Sequence, residues 1–180
     1  MGVLPQGIAW WKRRYPAHFI DRSVVYLMGL LSAVDESVVK GVVARLMLSN
    51  DLARKVRFTG PRLGEIVRRL TEKEDLRPST VYHLLNPLPN EALVLLLAMS
   101  MAESKRMVRR TKQWLSTLVI QLREVKTSLR GMDLLQMGLK PGPRIKELLT
   151  RLHDARLDGT IGSKAEEKAF IRAALTADRS

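Results

Sequence analysis

Apolar residues recur along almost the whole chain at the three- and four-residue spacing that places them on one face of an α-helix. No stretch alternates apolar and polar residues at the period of two that marks a half-buried strand. The pattern predicts an all-α protein. Asp21 opens a helix through Val34, and Asp35 caps a second that carries Ser37, Val38, Val42, Val43, Leu46 and Met47 to Ser49-Asn50. Asn50 or Asp51 starts a short basic helix that ends before Gly60. Gly60-Pro61 opens another, to about Glu74, because proline at the first helical position gives up an N–H that the helix cannot use. Pro78 begins a short helix to Leu85; Asn86-Pro87-Leu88-Pro89 is a turn; Asn90 and Glu91 then cap a strongly apolar helix through Ala102. A long helix is expected from about Ser104 to Leu129, broken by Gly131. Gly142-Pro143 starts an amphipathic helix through Ile145, Leu148, Leu149 and Leu152. It stops at Leu157-Asp158-Gly159, where glycine accepts left-handed backbone. Residues 1–19, with Pro5, Gly7 and Pro16, read as an irregular leader. The expected organisation is that leader, a curved helical body over 20–130, and a small helical tail over 131–180.

Charge changes the picture most. Thirty-one Lys and Arg oppose 18 Asp and Glu, a net charge of +13 with a pI near 10.6. A globular domain this basic usually faces a polyanion, above all nucleic acid; an anionic membrane surface is the rival. On the expected long helix, Val108, Leu115, Leu118, Leu122, Val125 and Leu129 share one face. Lys105, Arg109, Lys112, Arg123, Lys126 and Arg130 fall opposite, within a stripe about 100° wide if the helix is continuous. Like charges three or four residues apart repel, so such a face is unfavourable to itself unless an anion arrives. Lys140, Arg144 and Lys146 surround the proline-glycine-proline entry, with Arg144 in a first turn where the macrodipole disfavours a cation. These nine residues are the candidate phosphate contacts. Arg54–Phe58 (RKVRF) is a further basic cluster.

Residues 60–70 (GPRLGEIVRRL) echo 142–152 (GPRIKELLTRL). The echo is either two uses of one efficient helix start or a duplicated anion contact at a helix N-terminus. Trp10-Trp11 before Lys12, Arg13, Arg14 and Tyr15 could stack a base, but large aromatics near a domain's terminus more often anchor it to the core. Trp114 reads as packing.

No catalytic constellation is visible in the sequence. His18, His83 and His153 are scattered, no Asp-x-Asp pair exists, and no Walker-type loop occurs. There are no cysteines, the longest apolar run (Ala92–Met99) is too short to span a bilayer, and the N-terminus lacks the order of a secretory signal. A cytoplasmic protein that does not engage membranes is expected.

Three motifs carry a family resemblance. Gly131-Met132-Asp133-Leu134, Gly138-Leu139-Lys140-Pro141-Gly142-Pro143 and Ala155-Arg156-Leu157-Asp158-Gly159, in this order, resemble the C-terminal region of bacterial tRNA nucleotidyltransferases. These are the CCA-adding and A-adding enzymes of the poly(A) polymerase family. Leu88-Pro89-Asn90-Glu91-Ala92-Leu93, Leu122-Arg123-Glu124-Val125-Lys126 and Glu166-Glu167 extend the resemblance, which covers residues 88–175. Residues 1–87 carry no such motif; Glu74-Asp75-Leu76-Arg77 is one residue short of the family's nucleotide-selecting Glu-Asp-x-x-Arg. The resemblance implies a tRNA-binding body and tail, inactive alone. Magnesium and nucleoside triphosphates belong to a catalytic head domain elsewhere in the parent chain, the remaining partner besides tRNA. A non-enzymatic RNA- or DNA-binding module, and a basic domain for proteins or anionic membranes, are the alternatives.

Overall fold

The computed structural model describes residues 2–57, 61–72 and 76–177. Among the described residues the chain forms eleven α-helices, one short 3₁₀ turn and no strand. The all-α expectation holds. The helices are α1 (Val3–Arg14), α2 (Arg22–Leu31), α3 (Glu36–Arg45), α4 (Asn50–Val56), α5 (Pro61–Glu72) and α6 (Pro78–Leu85), then α7 (Asn90–Glu103), α8 (Lys105–Ile120), α9 (Gly131–Gln136), α10 (Pro143–Leu157) and α11 (Lys164–Ala177). They fall into two compact units. The first is Met1–Leu76 with His83–Thr117; the second is Arg77–Tyr82 with Leu118–Ser180.

The first unit is built around α7. Every residue from Glu91 to Ala98 is buried, so this helix is apolar all round and packed on all sides. α1, α2 and α5 lie against it. The expected irregular leader is therefore corrected: residues 3–14 are helical. Pro5 falls in the first turn, where no N–H is required. Gly7 permits the close approach, since a Cβ there would meet the Val94 carbonyl oxygen at 3.3 Å. Trp11 and Tyr15 are buried, and the Trp11 indole donates to the His18 carbonyl at 3.1 Å. Asp21 caps α2 by accepting from the Ser23 amide at 2.8 Å. Glu91, expected only as a helix-start residue, is buried and accepts from the Asp21 amide (3.1 Å) and Lys55 Nζ (3.2 Å). In α3 only Val39 is buried, and Val38, Leu46 and Met47 of the expected apolar set are exposed.

The second unit has its own core of Leu129, Leu134, Leu139, Leu148, Leu152, Ile161 and Ile171. α10 starts at Pro143 and is followed by Gly159 at φ 71°, as its two punctuation signals require. The Thr160 and Gly159 amides close on the Ala155 and Arg156 carbonyls. No single helix among the described residues is long and apolar enough to cross a membrane.

Candidate nucleic-acid interface

The expected helix from Ser104 to Leu129 does not form. α8 ends at Ile120, a 3₁₀ turn covers Leu122–Glu124, and residues 125–128 are not helical. The end of the non-helical segment is held by a residue some forty positions away. Glu167 is fully buried, and its carboxylate accepts from the Ser128 amide (2.9 and 3.0 Å) and the Leu129 amide (2.9 Å). Hydrogen bonds to a buried carboxylate outweigh neutral bonds to carbonyls four residues back. The Val125 carbonyl meets a ring nitrogen of His153 at 3.3 Å. A six-residue ladder along one straight helix is therefore excluded.

The nine predicted contacts divide between the units. Lys105, Arg109 and Lys112 lie on α8 in the first unit. Lys105 and Arg109 are exposed. Lys112 is half-buried, its Nζ 5.7 Å from the centroid of the Trp10 ring. Arg123, Lys126, Arg130, Lys140, Arg144 and Lys146 belong to the second unit. Lys126, Arg130, Lys140 and Lys146 are exposed. Arg123 is half-buried; burial pulls its guanidinium below the ordinary arginine value, and the neighbouring Tyr82 opposes the shift. Arg144 is paired with Glu147 at 2.7 Å, which partly cancels the charge it brings to the start of α10. Lys126 edges an open cleft of about 480 Å³, lined also by Gln121, Glu124, Val125, Arg156 and Ile161.

Of the basic cluster at 54–58, Arg54 is bonded to Asp51 at 2.7 Å and Lys55 to Glu91 at 3.2 Å, and Phe58 lies outside the described residues. Those two charges are already paired, whereas Arg57 is exposed. In the echo, Gly60 and the Arg62 side chain also lie outside the described set, as do Glu74 and Asp75.

The motif residues that drew attention to the tail turn out to be scaffold. The Asp133 carboxylate accepts from the Arg130 amide at 2.7 Å and so fixes the start of α9. Asp158 accepts from the Ser79 amide (2.8 Å) and hydroxyl (2.9 Å), tying α6 to the end of α10. Arg156 Nε lies 3.4 Å from Glu167. Ser163 and Glu166 exchange hydrogen bonds as a capping box at the start of α11. That last device was readable as Ser-x-x-Glu before an apolar run, and the Asp133 bond to Arg130 is equally local; the Ser79–Asp158 and Arg156–Glu167 pairs join residues too far apart in sequence to be seen there.

No protein-family model matches the chain. It is 30% identical over 164 residues to the A-adding tRNA nucleotidyltransferase of Geobacter sulfurreducens, a match that takes in 89% of the chain. The chain is homologous to part of a tRNA nucleotidyltransferase. It spans only 18% of that relative's length. Among solved structures, the Thermotoga maritima CCA-adding enzyme complexed with tRNA superposes with a TM-score of 0.68 over 96% of the chain and 40% of the enzyme, at 24% identity. A CCA-adding enzyme complexed with ATP gives a TM-score of 0.70 over 98% of the chain and 39% of the enzyme, at 22% identity. The helical architecture is thus one that nucleotidyltransferases of this kind contain as a minor part of their length.

Proposed function

We propose that the chain is the C-terminal, tRNA-binding portion of a tRNA nucleotidyltransferase that adds CCA or A to tRNA 3′ ends. The observation that carries this reading is the homology itself: nearly all of the chain aligns with a small fraction of an A-adding enzyme. The surface chemistry agrees. Lys105, Arg109, Lys126, Arg130, Lys140 and Lys146 are exposed, and none makes an ion pair within the described residues. An A-form helix offers chiefly phosphates and 2′-hydroxyls to a protein, so cations on a rigid helical frame grip it by shape and charge without reading sequence. Magnesium and nucleotide belong, on this reading, to a head domain elsewhere in a cytoplasmic parent protein, and this chain alone transfers no nucleotide.

Titration of the chain with tRNA across a salt series tests this. With about six phosphates contacted, log affinity should fall with log salt at a slope near −4 to −5, about −0.7 to −0.9 per phosphate. Binding to anionic vesicles with no preference for folded RNA would favour a membrane-facing domain and overturn the proposal. So would nucleotide incorporation by the chain alone, as regards the division of labour.

A further inference from the structure

Several cations of the first unit come with a carboxylate. Lys40 pairs with Glu36 at 3.0 Å, Arg54 with Asp51 at 2.7 Å, and Arg68 and Arg69 with Glu65 at 2.8 Å each. α1 and α8 depart from this habit. Neither helix contains a single Asp or Glu, yet α1 ends in Lys12, Arg13 and Arg14, and α8 carries Lys105, Arg106, Arg109, Arg110 and Lys112. None of Lys12, Arg13, Arg14, Lys105, Arg109 or Lys112 makes an ion pair within the described residues.

The fold brings the basic C-terminal end of α1 beside the middle of α8. The Tyr15 hydroxyl donates to Ser116 Oγ on α8 at 2.9 Å. One turn back on α8, Lys112 Nζ sits 5.7 Å from the Trp10 ring centroid, and the Arg14 guanidinium sits 5.8 Å from that of Tyr15. Trp10 and Tyr15 are themselves edge-to-face, 5.6 Å apart. Two cations from different helices are thus held on adjoining rings with no carboxylate to separate their charge. Aromatic faces orient a cation but do not neutralise it. The C-terminal macrodipole of α1 favours Lys12–Arg14. It does nothing for Lys105 and Arg106, which occupy the first turn of α8, where the dipole disfavours cations. The carboxylate nearest Lys112 in sequence, Glu103, closes α7, and the one nearest Arg14, Asp21, caps α2. Trp10 is only half-buried, whereas Trp11 is fully enclosed.

We propose that Arg14 and Lys112, set on the Trp10–Tyr15 pair, form a docking point for the RNA sugar–phosphate backbone, flanked by Arg13 and Arg109. This rests on the tRNA-binding reading and extends it to a segment that the sequence reads as a core anchor more readily than as a base-stacking site. Neighbouring phosphates of one strand satisfy the two cations, one each, and relieve their repulsion. The rings set where the cations stand, so the contact is preorganised rather than assembled from free side chains.

The test is tRNA binding by the whole chain over a salt series, for the parent, R14Q/K112Q, R14K/K112R and the control K40Q. Loss of two phosphate contacts should flatten the slope of log affinity against log salt by about 1.4 to 1.8. Taken over the decade from 0.1 to 1 M salt, that is roughly 25- to 60-fold weaker binding at 0.1 M. The charge-preserving R14K/K112R and the remote K40Q should keep the parent slope. If R14Q/K112Q does not fold, R13Q/R14Q, both at exposed positions, should still flatten the slope. Indole fluorescence offers an independent one: a change on adding tRNA should come from Trp10 and vanish in W10F. A parent that binds tRNA while R14Q/K112Q keeps its affinity and slope overturns this inference alone. So does a fluorescence change undiminished in W10F. A parent that does not bind tRNA overturns the tRNA-binding reading and this inference with it.

Discussion

Truncating Glu167 should do more damage to the second unit than any surface change. The side chain is fully buried and accepts from two backbone amides, Ser128 and Leu129, at 2.9 to 3.0 Å, with Arg156 Nε 3.4 Å away. In Glu167→Ala the Leu129 N–H, inside the core, loses its partner at about 1–3 kcal/mol. Arg156 is left largely buried without its counter-charge, and breaking a buried pair from one side costs about 3–5 kcal/mol. These overlap, so the expected loss is about 3–5 kcal/mol, a large part of a typical domain's 5–15 kcal/mol. Glu167→Gln keeps the volume and one acceptor, and about half that loss is expected. Urea unfolding measures the stability, and amide hydrogen exchange reports the site, since protection at residues 128 and 129 should collapse first. Lys126 and Arg130 flank the held segment, so the glutamine variant should also bind tRNA more weakly at unchanged net fold. A loss under about 1 kcal/mol with exchange at 128 and 129 unaltered would refute the claim that this carboxylate keeps the segment out of the helix.

Asp158→Ala removes both acceptors of Ser79 and should cost about 1–2 kcal/mol in urea unfolding, the range for losing a helix cap. Arg109→Gln should weaken tRNA binding more than Arg123→Gln, because Arg109 is exposed and Arg123 half-buried; equal effects in a binding titration would count against exposure as the criterion. The Gly162 and Ser163 amides hold the Glu166 carboxyl below the ordinary glutamate range. A lowered folded value means that the fold favours the ionised form: the contribution is present above the unfolded value, about 4.3, and is lost as pH falls through the folded one. Glu166→Gln should therefore melt earlier than the parent at neutral pH and converge with it under acid, as thermal scans from about pH 2.5 to 7 would show.

Local punctuation was legible in the chain, and so was helix character. Pro78, Pro143 and Gly159 mark helix boundaries through their own backbone geometry, and the spacing of Leu148 and Leu152 named two core residues of the second unit. The excess of Lys and Arg pointed to a polyanion, and the tail motifs pointed to the family. Where periodicity alone was trusted it overreached. An unbroken apolar stripe from Val108 to Leu129 fits one helix, but a helix also needs each N–H to choose the carbonyl four residues back. At Ser128 and Leu129 a carboxylate from α11 makes the better offer. The same holds for Val3–Arg14: Pro5, Gly7 and the nearby Pro16 read as an irregular leader until α7 supplies the surface that Gly7 packs on. Which cations stay available is likewise a tertiary matter. Lys55 and Lys112 look alike in the sequence, and only folding decides that the first meets Glu91 while the second meets the Trp10 ring. Sequence carries each residue's own chemistry and its neighbours within a turn or two; the partners that spend or spare that chemistry arrive from tens of residues away, and only the packed chain brings them.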